Sequence, residues 1–239
     1  PNNSVRVLVG CGAAAAISAS FNTPIAGVIF SMEVIVMEYT IAGFIPVILA
    51  SVVAAMMTQI VFGSLTAFDV PPVVMSSFID IPILVVEGAF IGVIAAAYVR
   101  AMLLFYKISP SKMWQRVMIA GFITGTAALI LPEVLGIGYD TVNLALLGEL
   151  SLVLLLTALV LKLILSSAII ALGIPVGFIG PTLFMGAMAG GMFAFFARFV
   201  DAGLSDDALF VMLGMGAMMG AVLQAPLAAL MAVLELTNS

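Results

Sequence analysis

Apolar residues fall in long blocks along this chain, at 7–20, 24–37, 41–62, 83–106, 117–131, 150–172 and 182–199. Polar, Gly and Pro positions are confined to short joints between the blocks. Such a pattern predicts helices in lipid, where backbone groups have no water to bond and must be satisfied within the segment. A perpendicular span needs about 20 apolar residues. By that measure 41–62, 83–106 and 150–172 are long enough to cross, whereas 24–37 is too short. Asn22 and Thr23 before Pro24 suit a polar cap with Pro in the first helical turn. A linker runs from Phe68 to Pro82, Pro132 to Tyr139 is rich in turn formers, and Asp201, Asp206 and Asp207 mark a wet turn. The expected fold is all-α and integral to the membrane, with full spans mixed with half-spans and no soluble domain within 1–239.

One pattern occurs twice. Gly12 to Val34 (GAAAAISASFNTPIAGVIFSMEV) reappears without a gap as Gly214 to Leu236 (GMGAMMGAVLQAPLAALMAVLEL). Gly12 pairs with Gly214, Pro24 with Pro226 and Glu33 with Glu235, always 202 residues apart. Short apolar segments interrupted by Gly and Pro at corresponding places in two halves are a pointer to transport sites. Inverted repeats of this kind place the two copies in opposite membrane orientation about an axis in the membrane plane.

Composition narrows the class. Hydrophobic residues make up 64% of the chain and charged residues 8%, against roughly a quarter charged in a soluble domain. Mean hydropathy is +1.36. The net charge of −5, without a basic block, gives no support for nucleic-acid binding. With no His, histidine metal ligands, general bases and proton relays are excluded. The single Cys11 rules out an internal disulfide and is expected to pack as a small apolar residue. The 16 Met and the aromatic positions invite no cofactor reading. Lys107, Pro110, Lys112 and Arg116 form a basic connection, read as a cytoplasmic loop by the positive-inside tendency. A start without Met and an end at Ser239 suggest an internal piece of a longer protein.

The strongest candidate site is Gly173-Ile174-Pro175-Val176-Gly177-Phe178-Ile179-Gly180-Pro181. Its glycines and prolines must open the backbone, which at membrane depth survives only where it lines a cavity or is buried in protein. Pro181 opens the next helix, so the N–H groups of Phe178, Ile179 and Gly180 are left free at a positive helix end that suits an anion. The alternative at this stage is a break made for packing. Among the carboxylates, Glu33 and Glu235 close the repeat copies and are either functional or structural groups at helix ends. Glu38 and Glu87, near segment ends, are expected to be solvated, and Lys162 either steers anions or snorkels toward polar groups.

These residues resemble the CLC family of chloride channels and chloride/proton exchangers over nearly the whole chain. Segment 12–33 resembles its GAAAGxxAAFNAPxAGxxFxxE stretch and Pro132 to Tyr139 its P-x-x-x-G-x-G-Y loop. Gly173 to Pro181 resembles its G-x-P-G-G-x-F-x-P anion motif, and Gly214 to Thr237 resembles GMGAxxxxxxxAPLTxxxxxxELT. The resemblance implies a CLC-type bundle with one pore per protomer, homodimers paired through 24–37, 41–62 and 226–236, and chloride held by the N–H groups of Phe178 and Ile179. Gly177, Gly180 and Pro181 would support the break. It implies a multi-pass protein of the bacterial inner membrane, without metal, cofactor or enzymatic activity.

Three departures qualify the resemblance. The motif here reads Gly-Phe-Ile-Gly-Pro, with Phe and Ile exchanged. The upstream segments carrying the family's serine ligand and gating glutamate are absent, as is its pore tyrosine, so the chain holds about one wall of several. Val34 stands where many exchangers have an inner acid, and valine carries no proton; Glu33 is then the candidate for any proton pathway. A voltage-gated-type chloride channel is therefore expected, with a chloride/proton antiporter as the alternative. More distant is an inverted-repeat carrier of another solute. An intramembrane enzyme is disfavoured, with no His for a Ser–His or metal-dependent mechanism.

Overall fold

The computed structural model describes residues 2–37, 40–63, 68, 80–200 and 206–236. Within these it is helical, with six helices long and apolar enough to cross a membrane. Glu38, most of the linker 68–82 and Asp201 lie outside the described residues. The chain forms two compact units, one of residues 1–69 with 223–239 and one of 70–222.

In the first unit, α1 (Asn2–Phe21) and α3 (Ile41–Phe62) run parallel. Their contacts advance together: Val7 meets Gly43, Gly10 meets Val47, Ser18 Oγ bonds Ser51 Oγ, and Gln59 Nε2 donates to Asn22 Oδ1. Between them α2 (Pro24–Phe30) runs the opposite way. Small residues allow this: a Cβ on Gly27 would lie 2.7 Å from Ser18 Oγ and 2.8 Å from the Ala14 carbonyl. Ser51 Oγ donates to the Pro24 carbonyl, so the hydroxyl that touches α1 also fixes the start of α2. From Ser31 to Val36 the helix widens into a π-turn, closed by Met37 N–H donating to the Met32 carbonyl with Met37 left-handed. No residue pattern announces that turn, and it was not expected. The unit is completed by α10 (Pro226–Leu236).

The second unit contains α4 (Asp80–Ile108), α5 (Met113–Ile130), α6 (Tyr139–Leu146), α7 (Leu152–Ala171), α8 (Ile179–Val200) and α9 (Asp207–Leu223). Its core follows α8, where Leu183, Phe184, Met185, Ala187, Met188 and Ala189 are all buried. Gly186 and Gly190 bring α8 onto α9 at backbone contact. A Cβ on Gly190 would overlap the Phe210 carbonyl, and one on Gly214 would lie 2.5 Å from the Gly186 carbonyl. Close approach through glycine is how apolar helices gain dispersion energy where lipid offers no hydrophobic drive. The outward faces are apolar instead: Leu129 is 89% exposed and Phe122 77%.

Two expectations need correction. Pro132 to Tyr139 is not loop throughout, because Pro132–Val134 makes a 3-10 turn and Tyr139 begins α6, whose Asp140, Thr141 and Asn143 hid it from an apolar scan. Glu87 is not solvated. It is 1% exposed, neither carboxylate oxygen has a hydrogen-bond partner among the described residues, and it shares a face of α4 with buried Ile91, Ala95 and Tyr98. Hydropathy cannot say which face of a helix packs inward.

The glycine contacts give a test. Gly190→Leu should lower the thermal unfolding midpoint of the purified protein sharply or abolish folded protein, since overpacking against backbone costs at least about 1–3 kcal/mol. Gly125→Ala, whose Cβ would meet nothing within 4 Å, should change stability by no more than about 1 kcal/mol.

Candidate functional site

The break between α7 and α8 begins with a left-handed glycine. Ser151 Oγ caps the start of α7, accepting from Leu154 N–H. At the other end Gly173, at φ +74°, lets its own N–H reach the Ile170 carbonyl and Ile174 N–H the Ile169 carbonyl. That is the usual way a helix closes its last carbonyls at a glycine. Pro175, Val176, Gly177 and Phe178 follow as an exposed stretch, and α8 starts at Ile179.

The first turn of α8 is fixed from behind. Thr182, fully buried, gives its N–H to the Phe178 carbonyl at 3.1 Å and its hydroxyl to the carbonyls of Phe178 and Ile179, each at 2.9 Å. Pro181 has no N–H to donate. The N–H groups of Phe178, Ile179 and Gly180 make no hydrogen bond among the described residues. Here the structure brings together all five residues expected at this site, Gly177, Phe178, Ile179, Gly180 and Pro181. The two glycines face differently. A Cβ on Gly177 would meet nothing within 4 Å, whereas one on Gly180 would touch Ile137 Cγ2 at 3.4 Å. Thr182 was missed because nothing in sequence distinguishes a hydroxyl that braces its own helix from any other Thr.

Ile137 belongs to the loop that carries the Gly136–Gly138 turn, and Lys162 holds that loop in place. Its Nζ donates to the carbonyls of Val134 and Gly136, each at 2.7 Å, and lies 4.8 Å from the centre of the Phe184 ring. The same ring packs against left-handed Gly138, where a Cβ would lie 2.6 Å away. Lys162 is 4% exposed, so the snorkelling alternative describes it and its ammonium is engaged with backbone oxygens.

Glu33 and Val34 lie in the other unit, both half-buried in the π-turn. Glu33 accepts from the N–H groups of Leu227 (3.4 Å) and Ala228 (2.9 Å) at the start of α10. Glu235 at the end of α10 accepts from Ile25 (2.9 Å) and Ala26 (2.6 Å) at the start of α2. Donors and acceptors in the two exchanges are again 202 residues apart. The two helices are thus antiparallel and related by a local two-fold axis, the relation expected of inverted copies. Their approaches match too, with Asn22 before α2 and Gln224 before α10 both left-handed, at φ 55° and 56°. Both carboxylates are structural helix caps, and for Glu33 that duty competes with any other.

Comparisons with known proteins agree with this architecture. Residues 1–239 match the profile of the voltage gated chloride channel family. The chain is 26% identical over 244 residues to a voltage-gated ClC-type chloride channel, ClcB, of Citrobacter koseri, covering all of this chain and 58% of that protein. It is 27% identical to an H(+)/Cl(−) exchange transporter, ClcA, of Klebsiella pneumoniae, covering 98% of this chain and 52% of that protein. The chain therefore spans about half the length of the curated relatives it matches. A slow cyanobacterial Cl−/H+ antiporter superposes on the whole chain with a TM-score of 0.89 at 18% identity, over 58% of its own length. A CLC-type fluoride/proton antiporter superposes on 97% with a TM-score of 0.81 at 19% identity, also over 58% of its length. At these identities the two structures speak for the fold.

The reciprocal caps can be tested by stability. Glu235→Ala leaves two N–H groups at the start of α2 without acceptors and should cost about 1–3 kcal/mol in unfolding of the purified protein. Glu235→Gln, which keeps an acceptor oxygen, should cost less. Losses near zero in both variants would show that the carboxylate does not hold α2.

Proposed function

The chain belongs to the voltage-gated chloride channel family, and we propose that in the full-length protein it forms one wall of a chloride pathway, with chloride held by the N–H groups of Phe178 and Ile179. The observation that carries this reading is the start of α8. Its leading N–H groups take no protein acceptor among the described residues, and they sit beside an exposed stretch with no charged side chain. A helix N-terminus offers an anion aligned dipoles without a full cation. Binding of that kind is firm enough for entry and weak enough for exit, which conduction requires.

Transport is passive in this reading. The relatives include both a channel and an exchanger by name, so the residues of this chain must decide. Val34 carries no proton, and Glu33, the remaining candidate for a proton pathway, already accepts two hydrogen bonds from α10. Two copies pair through α2, α3 and α10. Support for this comes from α3, where Ile41, Leu49, Val53, Met57 and Ile60 are each more than half exposed, and from Leu227 and Leu230 of α10.

Liposomes containing the full-length protein test the reading. Chloride efflux should occur without uphill proton movement under an imposed chloride gradient. Gly177→Leu should reduce efflux at least about tenfold by filling the open approach, whereas Phe178→Leu, which keeps the backbone donor, should retain much of it. Equal tolerance at both positions would make 173–181 a packing break only. Uphill proton movement that persists in Glu33→Gln would contradict both passive transport and any coupling through Glu33.

A further inference from the structure

The α8 site has a neighbouring charge that its motif does not include. Arg116, in the first turn of α5, is half-buried, and its Nη1 lies 3.4 Å from where a Cβ on Gly173 would stand. Its Nε donates to the Pro110 carbonyl at 2.6 Å, which folds the side chain back on its own linker and fixes the guanidinium beside the break. A guanidinium has five donors, and the remaining ones make no hydrogen bond among the described residues. Lys162 lies behind the same helix start, but it is buried and bound to two carbonyls. Among the described residues, Arg116 is a half-buried cation at the break whose remaining donors are open.

The surrounding sequence is rich in basic residues and has few acidic ones. No Asp or Glu occurs between Glu87 and Glu133, a stretch that holds Arg100, Lys107, Lys112 and Arg116, four of the seven basic residues in the chain. The break itself, 173–181, has no acid. From Gly173 the chain runs exposed through Pro175, Val176 and Gly177 to Phe178. A cation at one end of such a stretch raises the local concentration of anions at the other, through a field that salt screens. A cation acting through its field rather than as a ligand need not slow release.

We propose that Arg116 is a recruiting residue for the anion, setting how readily chloride reaches the N–H groups of Phe178 and Ile179 from the Gly173 side. This rests on the chloride reading of the α8 site. A purely structural role differs from it. A cation beside the last turn of α7 also complements that helix's negative end, but such a contribution would appear in folding stability and would not follow the chloride concentration.

The test is chloride flux through the reconstituted full-length protein as a function of chloride, at low and high ionic strength set with an impermeant salt. For the unaltered protein, half-saturating chloride should rise with ionic strength. For Arg116→Gln, half-saturating chloride at low ionic strength should be raised about threefold or more, with maximal flux within about twofold. The difference should shrink at high ionic strength, and Arg116→Lys should behave nearly as the unaltered protein. A half-saturation in the unaltered protein that ignores ionic strength would overturn the proposal even if Arg116→Gln did not fold. So would a loss of maximal flux in Arg116→Gln that is the same at every salt concentration. If the unaltered protein carries no chloride, or Gly177→Leu has no effect, the reading of the α8 site has failed, which is a separate outcome.

Discussion

Backbone N–H groups at helix starts inside a bilayer have no water to turn to, and this chain answers that constraint in two opposite ways. At α2 and α10 the groups are taken by carboxylates from the far end of the other helix, Glu235 for α2 and Glu33 for α10. At α8 the leading N–H groups of Phe178, Ile179 and Gly180 have no protein acceptor among the described residues. On the reading proposed above, the interaction is the same in kind, an anion on the positive end of a helix. In the first case the anion is built into the chain, and the result is a symmetric clamp. In the second the chain supplies only the donors.

Such donors are useful only if they are held still, and the second unit holds α8 along its length. Thr182 braces the first turn, Ile137 and Gly138 back it through Gly180 and Phe184, and Lys162 ties their loop down. Midway, Gly186 and Gly190 press the helix against α9. Near its end Arg198 forms an ion pair with Asp207 at the start of α9. Donors positioned in advance need no reorganisation when charge arrives.

Much of this was legible in the sequence, because it depends on local chemistry. The repeat, its Pro and Glu positions, the helical blocks and the Gly/Pro break all follow from residue type and spacing. What was hidden depends on partners far along the chain. Glu33 could be placed at a helix end, but not against Leu227 and Ala228, about two hundred residues away. Glu87 looked solvated from its place near a segment end, and only packing shows it to be enclosed. Gly177 and Gly180 are equivalent as letters in a motif. One opens to space and the other meets Ile137, and that difference arises from how a separate loop folds over the break.

If α8 keeps its helix start open for a mobile anion while α2 and α10 fill theirs with protein carboxylates, the three helix starts should differ in what they bind. Anomalous diffraction from crystals of the full-length protein, grown or soaked with bromide in place of chloride, tests it most directly. A bromide peak is expected within hydrogen-bonding reach of the N–H groups of Phe178 and Ile179, and none at the starts of α2 and α10. A pathway occupied by bromide elsewhere but without a peak at α8, or a peak displacing Glu33 or Glu235 from its helix, would contradict it.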